Sequence, residues 1–96
     1  MPGYAIRSGE RAAFIAGLRE LADFIATNPA VLVPLRASFG VFVDASDLDD
    51  RREGMRYVAA PLGVPVEDIG EGYYNAHRCF GPITYSVIAI PPEERQ

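Results

Sequence analysis

Asn75, His77 and Cys79 are the residues of this chain whose types and spacing could do covalent chemistry. A thiol beside an imidazole pairs a nucleophile with a general base, and an asparagine can orient the ring. Spaced by two, the three side chains would share one face of a strand, with α-carbons of neighbours about 6–7 Å apart. A working pair needs the thiol within about 3–4 Å of a ring nitrogen. Side chains standing parallel on one strand do not converge in that way, and no oxyanion site accompanies them. The plainer reading is a half-exposed strand face carrying a small apolar thiol. No catalytic residue is assigned. A small enzyme or ligand-binding domain on the His77/Cys79 face stays open as an alternative.

Metal chemistry has less to work with. One His and one Cys would have to recruit Asp44, Glu71 or the Asp47, Asp49 and Asp50 group to reach three or four ligands. The aspartates lack the loop glycine and twelfth-position Glu of a calcium loop, and helix capping explains them better. Gly70-Glu71-Gly72 matches no phosphate-binding loop. Neither a metal nor a cofactor is expected.

Arg51, Arg52 and Arg56 form a basic cluster that could meet phosphates. Nucleic-acid contact through them is a second alternative. The net charge of −4 argues against it, because the global field repels phosphates. All nine basic residues are Arg. The single cysteine cannot close an internal disulfide, and no stretch is apolar enough to span a membrane. The first residues lack the pattern of a secretory leader, so the expected location is the cytoplasm.

The elements that must position these groups follow from periodicity. Residues 9–27 read as a helix capped by Ser8, with Phe14, Leu18, Leu21 and Ile25 on one stripe and Ile15 and Ala22 beside it. Asn28-Pro29 ends it. Residues 29–37 are apolar but carry two prolines, which suits an extended connector better than a central strand. Residues 38–44 alternate as a strand. Residues 47–62 form a second helix, capped by Ser46 or Asp47 and ended by Gly63. Its buried stripe is Leu48, Met55, Val58, Ala59 and Leu62, with Arg51, Arg52, Glu53 and Arg56 mostly outside.

Residues 64–72 read as a loop. Residues 73–80 and 83–90 read as a hairpin turning at Gly81-Pro82. A two-residue turn pairs Phe80 with Ile83, Arg78 with Tyr85, Ala76 with Val87 and Tyr74 with Ala89. That face is mostly apolar. The expectation is one α+β domain over 1–96, with flexible ends at 1–7 and 91–96; residues 1–7 are either a frayed arm or a brief edge strand. The order is helix-strand-helix-strand-strand, and both helices pack on one face of a three-stranded sheet. The step from residue 44 to 73 allows a parallel first pair of strands.

FIAGLRELADFIATNP at 14–29, LGVPV at 62–66 and RCFGPITYSVIAIP at 78–91 together resemble a group of small proteins of actinobacteria and their phages or mobile elements. The resemblance touches most of the chain in order. Members of that group often continue past the last strand, whereas this sequence stops at Gln96. The group has no assigned activity, so the resemblance implies only an accessory bacterial or phage protein of the cytoplasm.

The leading expectation is a non-enzymatic protein-interaction module acting through the C-terminal hairpin. Tyr and Arg are favoured at interface centres. Tyr73, Tyr74, His77, Arg78 and Tyr85 gather on the hairpin and are the expected partner-binding residues. The partner is an unidentified protein. A second copy joined through a sheet edge is a further possibility, because small sheets leave edges unpaired.

Overall fold

The computed structural model describes residues 3–92, and residues 1–2 and 93–96 of the expected flexible ends lie outside the described residues; of the rest, Ala5–Arg7 form a strand and Pro91 is buried. Five strands form one sheet: β1 (Ala5–Arg7), β2 (Ala37–Asp44), β3 (Glu67–Gly70), β4 (Tyr73–Phe80) and β5 (Ile83–Ala89). Their spatial order is β1-β2-β5-β4-β3. The helices are α1 (Arg11–Thr27) and α2 (Leu48–Ala59), and a 3-10 turn follows α2 at Ala60–Leu62. The α+β class stands. The sheet has five strands where three were expected, and a strand precedes the first helix.

Both additional strands are short. β1 lies on the edge, antiparallel to β2, with Ile6 opposite Val43. An ion pair from Arg7 Nε to Asp44 Oδ2, at 2.7 Å, holds it there. β3 pairs with β4 across an irregular register between Asp68 and Gly70. Its sequence, Glu-Asp-Ile-Gly, has little strand propensity, so β4 supplies the reason for its extended shape.

The hairpin has the expected register, from Tyr74 opposite Ala89 to Phe80 opposite Ile83. Gly81 sits at φ 61°, the positive value that the turn requires. β2 runs parallel to β5. β4 is therefore antiparallel to β2, and the parallel first pair that the 44-to-73 step allowed does not form. The strand reached after α2 is β3. It runs in the direction of β2 but lies on the far side of the inserted β5–β4 hairpin.

α2 covers one half of one sheet face. Met55 and Ala59 meet Val43, Tyr74, Ala76, Val87 and Ala89 there, and all are buried. Gly54 lets the helix come close, since a Cβ on it would stand 2.6 Å from Val43 Cγ1. Asp47 caps the helix, its carboxylate accepting from Asp50 N. Arg51 was expected outside the buried stripe and is instead 6% exposed.

α1 departs most from expectation. Its cap is Glu10 and not Ser8: the Glu10 carboxylate accepts from Ala12 N at 2.8 Å and Ala13 N at 3.0 Å. It does not pack on the sheet beside α2. None of its residues is buried. Phe14 touches Phe39 edge-on, ring centroids 5.3 Å apart, and beyond that point the helix leaves the body. The radius of gyration is 15.7 Å. A compact chain of this length would have about 12–13 Å.

Candidate functional site

The outward face of β4 carries the three residues that could have formed a nucleophile and base. Asn75 Nδ2 lies 3.1 Å from His77 Nδ1, and Glu67 Oε1 lies 4.0 Å from the same ring nitrogen. The Cys79 thiol has turned to Thr84 Oγ1, at 3.7 Å. His77 and Cys79 are exposed, and neither lines the cleft at the root of α1 or the groove beside α2. The ring's neighbours are an amide and a carboxylate, and the thiol's is a hydroxyl. Among the described residues, no three His, Cys, Asp or Glu side chains converge as metal ligands would.

The expected partner-binding residues divide between the two faces of the sheet. Tyr73 is half-buried and His77 exposed on the face away from α2. Tyr74, Arg78 and Tyr85 are on the α2 face. Tyr74 is a core residue, 3% exposed, whose hydroxyl accepts from Arg52 Nε at 2.8 Å. A partner cannot reach its ring in this conformation. Arg78 donates to Leu62 O at 3.2 Å and lies over the Phe80 ring at 5.4 Å. Tyr85 lines a cleft of about 430 Å³ at the root of α1, together with Phe14, Ile15, Phe39 and Val41.

The basic cluster is also divided. Arg51 is buried, and its guanidinium donates to Gly72 O at 2.8 Å and Ser46 O at 3.3 Å. Arg52 pairs with Asp49 at 3.5 Å as well as with Tyr74. The Tyr74 hydrogen bond holds the Arg52 guanidinium above its ordinary range, with the nearby carboxylates adding to the effect. Arg56 lines a groove of about 570 Å³ with Arg52, Val64, Val66 and Asp68. Arg51 is thus engaged inside the protein and the exposed Arg52 is tied to Tyr74 and Asp49, which leaves little of a phosphate-binding row.

The most unusual surface lies elsewhere. Leu21 and Phe24 of α1 are each 53% exposed, and Phe14, Ile15 and Leu18 are exposed beside them. The connector that follows α1 adds Val31, Leu32, Val33 and Leu35, with Leu32 at 92%. At its far end Ala37 N donates to Pro82 O, 3.1 Å away, which joins the connector to the hairpin tip. Phe80 and Ile83 are exposed at that tip. Apolar surface therefore runs from the hairpin tip through the connector and along α1. The sequence does show the α1 stripe and the apolar connector. It does not show that the sheet face they would cover is half filled by α2 and otherwise left open.

No helix is long and apolar enough to cross a membrane among the described residues. Compared with models of protein families, with curated proteins and with solved structures, the chain finds no match.

Proposed function

We propose that the chain is a non-enzymatic protein-interaction module whose docking element is α1 with its connector, continuous with the hairpin tip. The observation that carries this reading is the unburied apolar stripe of α1. Most helical stability in proteins comes from packing of an apolar face, and none of the 17 residues of α1 is buried. Contiguous apolar patches beyond a few hundred Å² mark interaction surfaces. The hairpin contributes Phe80, Ile83 and Arg78 at the edge of this patch, while Tyr74 belongs to the core.

The test is a Leu21→Glu/Phe24→Glu double variant, followed by near-UV circular dichroism and by binding of an apolar-surface dye. The expected result is an intact tertiary signal with dye binding and self- or hetero-association lost. Collapse of the tertiary signal would mean that α1 belongs to the chain's own core, and the reading would fail. It would fail equally if the wild-type chain neither associates nor binds the dye.

A further inference from the structure

We infer that the occupant of the α1 stripe is a second copy of this chain, with the two α1 helices packed antiparallel about a two-fold axis between Arg19 and Glu20. This inference rests on the interaction reading above and names its partner.

A two-fold interface must be self-complementary: if residue i meets j, then j meets i. An axis between residues 19 and 20 pairs each position with the one at equal distance on the other side. Leu18 then meets Leu21 of the second copy, and Phe14 meets Ile25. The spacing of these four residues, four-three-four, is that of a coiled-coil seam. Beside the seam, large side chains fall against small ones. The equal-distance rule holds for the seam; beside it, each flank of one helix faces the same flank of the antiparallel second copy, which sets Phe24 near Gly17 and Ile15 near Ala22, each two residues off level. The apolar set of α1 maps onto itself under this one operation, as a two-fold interface requires.

Gly17 is an independent observation. A glycine inside a helix is less favourable than alanine by roughly 0.5–1 kcal/mol. Within the chain nothing explains it, because a Cβ there would meet no atom within 4 Å. The close approach of Phe24 from a second helix does explain it.

The surface left to cover is wide as well as apolar: Leu21 and Phe24 are each 53% exposed and Leu32 is 92% exposed. The antiparallel arrangement also brings the start of one connector, Val31 and Leu32, beside the other copy's α1 root. The cleft lined by Phe39, Val41 and Tyr85 opens at that root. The sheet edges offer a second copy much less. β1 has three residues, and β3 has four with an irregular register and two acids.

Light scattering on a sizing column tests the inference with four proteins: wild type, Leu18→Glu/Leu21→Glu, Gly17→Leu, and Gly17→Leu/Phe24→Ala. The wild type should run at twice the chain mass of 10.5 kDa. Leu18→Glu/Leu21→Glu should be monomeric and folded. Gly17→Leu should weaken the dimer at least tenfold although leucine favours the helix, because the new side chain takes the space of Phe24 from the second copy. Adding Phe24→Ala vacates that space and should restore most of the affinity. Failure of the rescue, or a dimer indifferent to all three variants, overturns the antiparallel pairing.

A wild-type chain that is monomeric but binds the apolar dye overturns the second copy as occupant and leaves the interaction reading standing. A monomer that binds no dye, with a radius of gyration near 12–13 Å, overturns both.

Discussion

Arg51 shows how a single side chain can fix the relation between two elements. It leaves the buried side of α2 and reaches Gly72 O, in the turn between β3 and β4, and Ser46 O, just before the helix cap. Among the described residues its Nε has no hydrogen-bond partner. One planar fork meets both carbonyls at once with donors held in fixed directions, which a compact ammonium does not match. Gly72 makes the approach possible: it sits at φ 86°, and a Cβ there would come within 2.7 Å of Arg51 Nη1. Arg51→Ala should therefore lower the unfolding free energy by about 2–3 kcal/mol, the scale of lost charge-assisted hydrogen bonds and packing. Arg51→Lys should recover less than half of that, and Gly72→Ala should cost about 1–3 kcal/mol through backbone strain. Urea denaturation of the three variants checks this. A neutral Arg51→Ala would mean that the two carbonyls are satisfied without it. Arg52 behaves differently. Its guanidinium is raised above the ordinary value by Tyr74, so any stability linked to that shift is complete below the normal arginine range. It is lost only as pH rises through a still higher value, and no pH dependence near neutrality follows from it.

Elements differ in how well the chain's own residues account for them. The β4–β5 hairpin was legible because its register follows from the Gly81-Pro82 turn and from alternation over seven pairs. α2 was legible from its Asp47 cap, from Met55 and Ala59 of its stripe and from Gly63, whereas Leu48, expected in that stripe, is exposed in the first turn and Gly54 is buried against Val43 instead. β3 was not, since Glu67 to Gly70 carry no strand signal and take their shape from the neighbouring strand. Arg51 was misplaced for a related reason: helical spacing puts it among charged neighbours, and only the carbonyls of distant residues make its burial tolerable. α1 presents the reverse case. Its existence and stripe were plain, but burial of the stripe was assumed because one sheet was expected to hold both helices. Of the hairpin residues expected to bind a partner, Tyr74 is in the core, and the exposed apolar surface adjoins the others only at the tip.

If α1 depends on a second copy, its stability should depend on concentration while that of the sheet does not. Amide hydrogen exchange checks this. On dilution below the association limit, α1 amides should lose protection to within about 1 kcal/mol of an unprotected helix, as expected for an isolated segment of this length. Amides of β2, β4 and β5 should keep theirs. Uniform loss across helix and sheet would show that α1 unfolds only with the body.

At the scale of the whole molecule, charge and shape give opposite instructions about association. Each copy carries a net charge of −4, so two copies repel at long range. The surface that would join them is apolar; of the charged residues of α1, Arg19, Glu20 and Asp23 lie off the seam, and Arg11 stands at its end, three residues before Phe14. Apolar association is insensitive to screening, whereas repulsion between like-charged bodies weakens as the Debye length falls from about 14 Å to about 4 Å between roughly 0.05 M and 0.5 M salt. Dimer affinity should therefore stay constant or tighten slightly over that range. It should tighten further in sulfate, which strengthens apolar burial by exclusion from protein surfaces. Its formation should also show a negative heat-capacity change. Phosphate contacts through Arg56 and its neighbours would behave in the opposite sense, with affinity falling steeply as salt rises. Sedimentation equilibrium at several salt concentrations, with calorimetric dilution, separates the two. A steep loss of association with sodium chloride would place the interaction on the arginine groove beside α2 and remove α1 as the docking element.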